Sequence, residues 1–257
     1  MKPDGDAGEN GGVRHRTADA AAEAVLLAGG ARAILLQLAH PAVGRGVAEH
    51  SDFAQRPLDR LHGTLTYLYV IQFGTPEEAA RIARRVGEAH RPVVGEGYDA
   101  RDVDLQVWVA ATIYDTAVRM HELVFGPVDQ QQMLDEAAIV ATTLGVPRSE
   151  WPATPAAFAE YWAGVPLRVE QPARDVARAL LHPAAGPLWM RALMPTVRLV
   201  TAGLLDEQLR EAYGLPLDGQ KYARLVRVAR AVYPRLPRVV RHAPMRRYLK
   251  QFRRGRG

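Results

Sequence analysis

Apolar residues recur at helical spacing along almost the whole chain, and strand-like alternation over four or more residues is essentially missing. Residues 75–93 open with Thr75, an N-cap type. Pro76 suits the first helical position, and Glu77 and Glu78 fall at the positive end of the helix dipole. Thr154 and Pro155 repeat that punctuation before an apolar run ending near Val165. The stretch 104–126 is long, periodic and apolar, and Gly126-Pro127 stops it. Residues 129–146 form a further helix ended by Gly145, and runs starting at Pro195, Asp206 and Gly219 supply three more. The proline-rich breaks at 152–155, 183–187 and 234–244 have the length of interhelical turns, not of interdomain linkers. The expected architecture is all-α, a single helical domain over 17–245. A disordered segment 1–16 precedes it, and a basic tail 246–257, read as frayed and solvated, follows.

The run "AAAEAVLLAGGARAILLQLAH" is interrupted by Glu23 and Arg32 and broken at Gly29-Gly30. A membrane-spanning helix needs about 20 mainly apolar residues, so this reads as buried core helix. The polar, glycine-rich start of the chain lacks the pattern of a secretory signal, and the expected location is cytoplasmic. With 257 residues, 48% hydrophobic and 24% charged, the composition is that of a globular protein. The absence of cysteine excludes disulfides, thiolate metal sites and cysteine nucleophiles. The net charge of +5 owes much to the terminal "RRYLKQFRRGRG". Neither a nucleic-acid partner nor stable membrane insertion is expected.

The motifs of several enzyme classes are missing. There is no His-Glu-x-x-His, no paired Glu-x-x-His, no Gly-x-Ser-x-Gly and no phosphate-binding glycine loop ending in Lys. The eight histidines are scattered singly, which argues against a multi-histidine metal site. A cofactor needing one protein ligand fits better, and haem is such a cofactor. His90 has Val86, Gly87, Val93 and Val94 on its own helical face, with Arg81, Arg84, Arg85 and Arg91 around the same turns. It is either an axial ligand or a hydrogen-bonded core histidine. As a ligand it would have Gly87 for close approach of the porphyrin, valines as a wall, and Arg84 or Arg85 for a propionate. Arg60 and Thr64 share a helix face, with Gly63 beside them and Tyr67 a turn further on. They would bind a propionate or dioxygen, or form an ordinary exposed arginine with a packed threonine. His40, before Pro41, suits a distal-pocket or a turn-carbonyl role, and His50 a cap or a place at the haem edge. Leu35, Leu36 and Leu38 would provide a distal apolar wall. His62, His121, His182 and His242 read as surface or packing residues.

The order "LLQLAHPAVGRGVAEHSDF", "RLHGTLTYLYVIQFGT", "RRVGEAHRPV", "YDARDVDLQVWVAATIYDT" and "VTAGLLDEQLREAYGL" resembles the MpaB/rubber oxygenase catalytic-domain family over roughly residues 20–235. The resemblance implies an all-helical haem b protein whose relatives cleave isoprenoid double bonds with dioxygen. It carries His90 over as the proximal ligand and places Arg60 and Thr64 in the haem pocket. Glu49 is the nearest counterpart of a glutamate proposed as base. Gly63 departs from the family's rubber-cleaving members, which have a lysine there that can cap the iron. The expected function is a haem b-dependent oxidoreductase, an oxygenase using dioxygen or peroxide on a small hydrophobic, isoprenoid or olefinic substrate. The alternatives are a non-catalytic haem sensor or carrier and a haem-free helical binding protein.

Overall fold

A computed structural model describes residues 20–50, 57–183 and 187–255, and of residues 57–60 it describes only the backbone. The expected disordered segment 1–16 lies outside the described residues. The chain is 77% helical, with thirteen helices and one two-stranded hairpin among the described residues. The first apolar run is not one continuous helix. A 3-10 segment, Ala24–Gly29, leads into α1 (Gly30–Ala39). At the junction a Cβ on Gly29 would lie 2.6 Å from the Thr116 side chain and 2.7 Å from that of Met120, so a glycine permits the close approach. The chain then bends by 106° at His40 into α2 (Pro41–His50), where Pro41 can start a helix but could not continue one.

Helices α3 (Pro57–Phe73) and α4 (Pro76–His90) form an antiparallel hairpin around Gly74. Thr75 and Glu78 close a reciprocal capping box at the start of α4. Strands β1 (Val94–Gly95) and β2 (Tyr98–Asp99) follow, with Val94 opposite Asp99 and Gly95 opposite Tyr98. Gly97, at φ +75°, supplies the left-handed residue that their two-residue turn requires. The remaining helices are α5 (Val103–Phe125), α6 (Gln130–Thr142), α7 (Pro155–Gly164), α8 (Gln171–Leu181), α9 (Leu188–Leu204), α10 (Glu207–Ala212), α11 (Gly219–Val232), α12 (Arg238–Arg241) and α13 (Ala243–Arg253). Helix α9 begins seven residues before Pro195, which sits inside it. There the proline only removes one backbone donor from a largely exposed turn.

The main core gathers α1, α5, α6, α8 and α10 around the fully buried Trp108 and Trp151. A separate cluster of Tyr67, Val70, Ile71 and Ile82 holds the α3–α4 hairpin, and Leu249 and Phe252 of α13 complete it. The Arg81 guanidinium lies 4.3 Å over the Phe252 ring, and Arg253 donates to both oxygens of Glu78 at 2.8 and 3.1 Å. Residues 246–253 are therefore a docked helix and not a frayed tail. Its charges masked the spacing of Met245, Leu249 and Phe252, which put one apolar stripe against the hairpin.

Candidate functional site

Because α3 and α4 run antiparallel, the first turns of α3 and the last turns of α4 come to one end of the hairpin. Arg60 and His90, thirty positions apart, thus fall at the same end. The middle of the hairpin is anchored: the Tyr67 hydroxyl donates to the Val140 carbonyl of α6 at 2.7 Å. Towards the open end burial fades. Gly63, Thr64, Arg84 and Gly87 are exposed, and His90 is half-buried with its Nδ1 out of contact with solvent. A Cβ on Gly63 or Gly87 would meet no atom within 4 Å. Leu61 (43% exposed) and Val94 (46%) leave apolar surface at this end. The side chain of Arg60 lies outside the described residues. Val86 does not pave an outer wall, since it packs into the hairpin core. Leu35, Leu36 and Leu38 are fully buried in the main core and form no open distal wall, because α5 and α8 already occupy the face they offer.

The C-terminal end of α2 meets the β hairpin that follows His90. The Tyr98 hydroxyl donates to Glu49 Oε2 at 2.5 Å and lies 3.0 Å from His50 Nε2. The phenol is acceptor as well as donor, so the bond to Glu49 leaves its oxygen to accept from His50 Nε2–H. The hydrogen bond to Glu49, and after it burial, pushes the Tyr98 phenol up. The Tyr98 ring is seated between two glycines: a Cβ on Gly95 would lie 2.4 Å from it and one on Gly46 3.2 Å. Sequence reasoning found Glu49 and His50 but missed Tyr98, whose only local signal is an aromatic residue within the glycine-rich "GEGYD" turn. It also missed Arg45, half-buried on α2 beside the same turn, whose Nε is buried with no hydrogen-bond partner.

His40 stands apart. It occupies the bend before α2, a ten-residue helix of about 15 Å, while His50 ends that helix. His40 faces an open cleft of about 570 Å³ with Asp104, Trp108, Glu160, Tyr161 and Val165. His40 Nδ1 and Trp108 Nε1 are both buried without a hydrogen-bond partner. Burial pushes the His40 imidazole down, against the opposing charge of Asp104. Among the described residues no three His, Asp or Glu side chains are grouped to hold a metal ion. Chemically, then, the chain presents an imidazole at the hairpin end that also carries the open positions Gly63 and Gly87, a hydrogen-bonded carboxylate–phenol–imidazole chain, and a separate aromatic cleft with its own histidine.

On this largely helical fold, the family match defines a catalytic domain of the oxygenase type. The chain belongs to the family described as ER-bound oxygenase mpaB/B′/rubber oxygenase, catalytic domain, whose model matches residues 18–234. Two relatives, uncharacterized proteins of Mycobacterium bovis and Mycobacterium tuberculosis, are each 34% identical over 192 residues, covering 69% of this chain and 75% of theirs. No solved structure matches the chain.

Proposed function

We propose that the protein is a haem b-dependent oxygenase acting on a small hydrophobic, isoprenoid or olefinic substrate. The observation that carries this reading is the open end of the α3–α4 hairpin. It carries one histidine, His90, at the end of α4, and two exposed helix positions with no side chain, Gly63 on α3 and Gly87 three residues before His90. A metal held by side chains alone needs several ligands together, and none are grouped among the described residues. A porphyrin brings four nitrogens of its own and asks for one imidazole, which His90 could supply. Bound haem would supply an iron able to bind and activate dioxygen.

The chain's own residues then have definable parts. His90 would ligate, and the exposed Leu61 and Val94 would cover apolar ring edge. Arg60, Arg84 and Arg45 are the candidates for the propionates, because a carboxylate taken from water needs a guanidinium or several donors. Thr64 would offer a hydroxyl on the Arg60 face. Glu49, held by Tyr98, is the candidate base, and the Glu49–Tyr98–His50 chain can hold or pass a proton without moving a backbone atom. Gly63 leaves no ammonium to compete for the iron, so the resting site would accept small external ligands.

Reconstitution with hemin followed by oxygen-electrode assays on isoprenoid alcohols of graded length tests the proposal. The expected result is a Soret band and dioxygen uptake matched to loss of double bonds. A Soret band without uptake on any substrate makes the protein a carrier or sensor. Absence of the band makes it a haem-free binding protein.

A further inference from the structure

Residues 219–257 hold thirteen of the chain's 33 Lys and Arg and none of its 28 Asp and Glu. The rest of the chain is net acidic, so the positive charge of the molecule is concentrated here. Charge in this segment alternates with exposed aliphatic side chains. On α11 the inward face is Tyr222, set against Gly203, and Leu225, packed on the cluster of Met120, Val200 and Leu204. At 100° per residue, Arg224 and Arg227 face away from that side, and Val228 and Val232, one turn apart, run along the flank between Leu225 and Arg224. Val228 and Val232 are each 52% exposed, and Val239 and Val240 of α12 are 64% and 54% exposed. Arg224 and Arg227 are exposed and hold no carboxylate. Arg246, Lys250 and Arg253 of α13, with Arg254 just past its end, surround Leu249 in a shallow cleft of about 380 Å³.

We propose that the α11–α12 surface docks the protein peripherally on an anionic phospholipid bilayer. Aliphatic side chains spaced among arginines suit the boundary between headgroups and acyl chains: valine enters the apolar edge while guanidinium groups meet phosphate oxygens. The segment itself contributes no carboxylate over 39 residues, so Arg224 and Arg227 stay available to an anionic surface. A single-stranded nucleic-acid surface would call for exposed aromatic rings on which bases stack. Here Tyr222, Tyr233, Tyr248 and Phe252 all turn at least partly inward, and what is exposed is valine. No single helix among the described residues is long and apolar enough to cross a membrane, and this mode of binding needs none. The inference is independent of the haem reading.

The test is co-sedimentation of the full chain with vesicles of phosphatidylcholine alone or with about 30% phosphatidylserine, at low and high salt. The expected result is binding at least tenfold tighter to the anionic vesicles, weakened by salt. Arg224→Glu with Arg227→Glu should cost tenfold or more. Val228→Ser with Val232→Ser, which leaves the charge unchanged, should cost severalfold. Circular dichroism checks that both variants stay folded. Equal binding to neutral vesicles, no binding to either, or a serine variant as good as the parent overturns the proposal. So does tighter binding to a DNA duplex that the valine changes do not touch, which would make the surface a phosphate-backbone site.

Discussion

At the scale of single residues, the open hairpin end and the Tyr98 cluster differ in how far the sequence foretold them. His90, Arg60, Thr64 and Gly87 lie on helices, where fixed periodicity lets spacing be read as facing. An antiparallel hairpin then brings 60 and 90 to one end. Tyr98 meets Glu49 across 49 positions and through a two-residue turn, a contact that no local period encodes. Tyr98→Phe keeps the ring between Gly46 and Gly95 and removes both polar contacts. We expect a lower midpoint in urea unfolding, since both partners lose a hydrogen bond. A loss of turnover at intact fold would accompany it if Glu49 is the base. An unchanged urea midpoint and unchanged turnover would show that the hydroxyl matters to neither. His40 gives a second residue-level prediction. Burial lowers its folded pKa below the ordinary 6.5, so the unfolded chain takes up the proton first as pH falls. Any stability tied to the neutral ring is therefore whole above 6.5 and declines as pH drops through 6.5 towards the lowered folded value. Proton NMR titration of the His40 ring should place its midpoint below 6.5, and a midpoint at or above that value would contradict the burial argument.

At the scale of elements, most helices were legible because their starts and stops carry residues with a mechanical reason to be there. Thr75 with Pro76, Thr154 with Pro155, and Gly126 with Pro127 all mark true ends. Others escaped. Helices α2 and α8 were not marked, α12 falls inside the proline-rich break 234–244, the β1–β2 hairpin is too short to show alternation, and α13 was hidden by its own charge. Helix α13 is bound to the candidate site's hairpin by one carboxylate. Glu78 caps α4 and also accepts both hydrogen bonds from Arg253. The Arg253 bond, followed by the Thr75 backbone, holds the Glu78 carboxyl down at about 2. A depressed folded pKa contributes stability above the ordinary carboxylate range, and that contribution is lost as pH falls from about 4.5 towards 2. Glu78→Gln should therefore reduce stability at pH 7 and flatten the acid limb of the stability curve, measured by urea unfolding at pH 7 and pH 3. An acid limb as steep as in the parent protein would place the acid sensitivity elsewhere.

At the scale of the whole molecule, two buried ionic groups join parts far apart in sequence. Arg32 of α1 pairs with Asp115 at 2.6 Å, donates to the Thr116 hydroxyl at 2.7 Å and to the Leu204 carbonyl at 2.9 Å. Glu23 receives Arg241 at 2.7 Å and the Tyr233 hydroxyl at 2.9 Å, closing the start of the described chain onto its end. In the sequence these two charges served only to argue against a membrane span; their partners, 83 and 218 positions away, are a property of the tertiary fold. Arg32→Leu should cost about 3–5 kcal/mol, the penalty for stripping one partner from a buried pair. A variant within about 1 kcal/mol of the parent would show that Asp115 is satisfied by Arg119 alone. The fold so held presents the open hairpin end, and the central claim is that His90 there is the single protein ligand of a haem. The most direct measurement is the absorption spectrum of hemin-reconstituted His90→Ala beside the parent, with far-ultraviolet circular dichroism on both. We predict a Soret band in the parent, its loss in the variant at unchanged helicity, and partial return on adding imidazole. A His90→Ala protein that keeps the parent's Soret intensity and ferrous spectrum would contradict the claim.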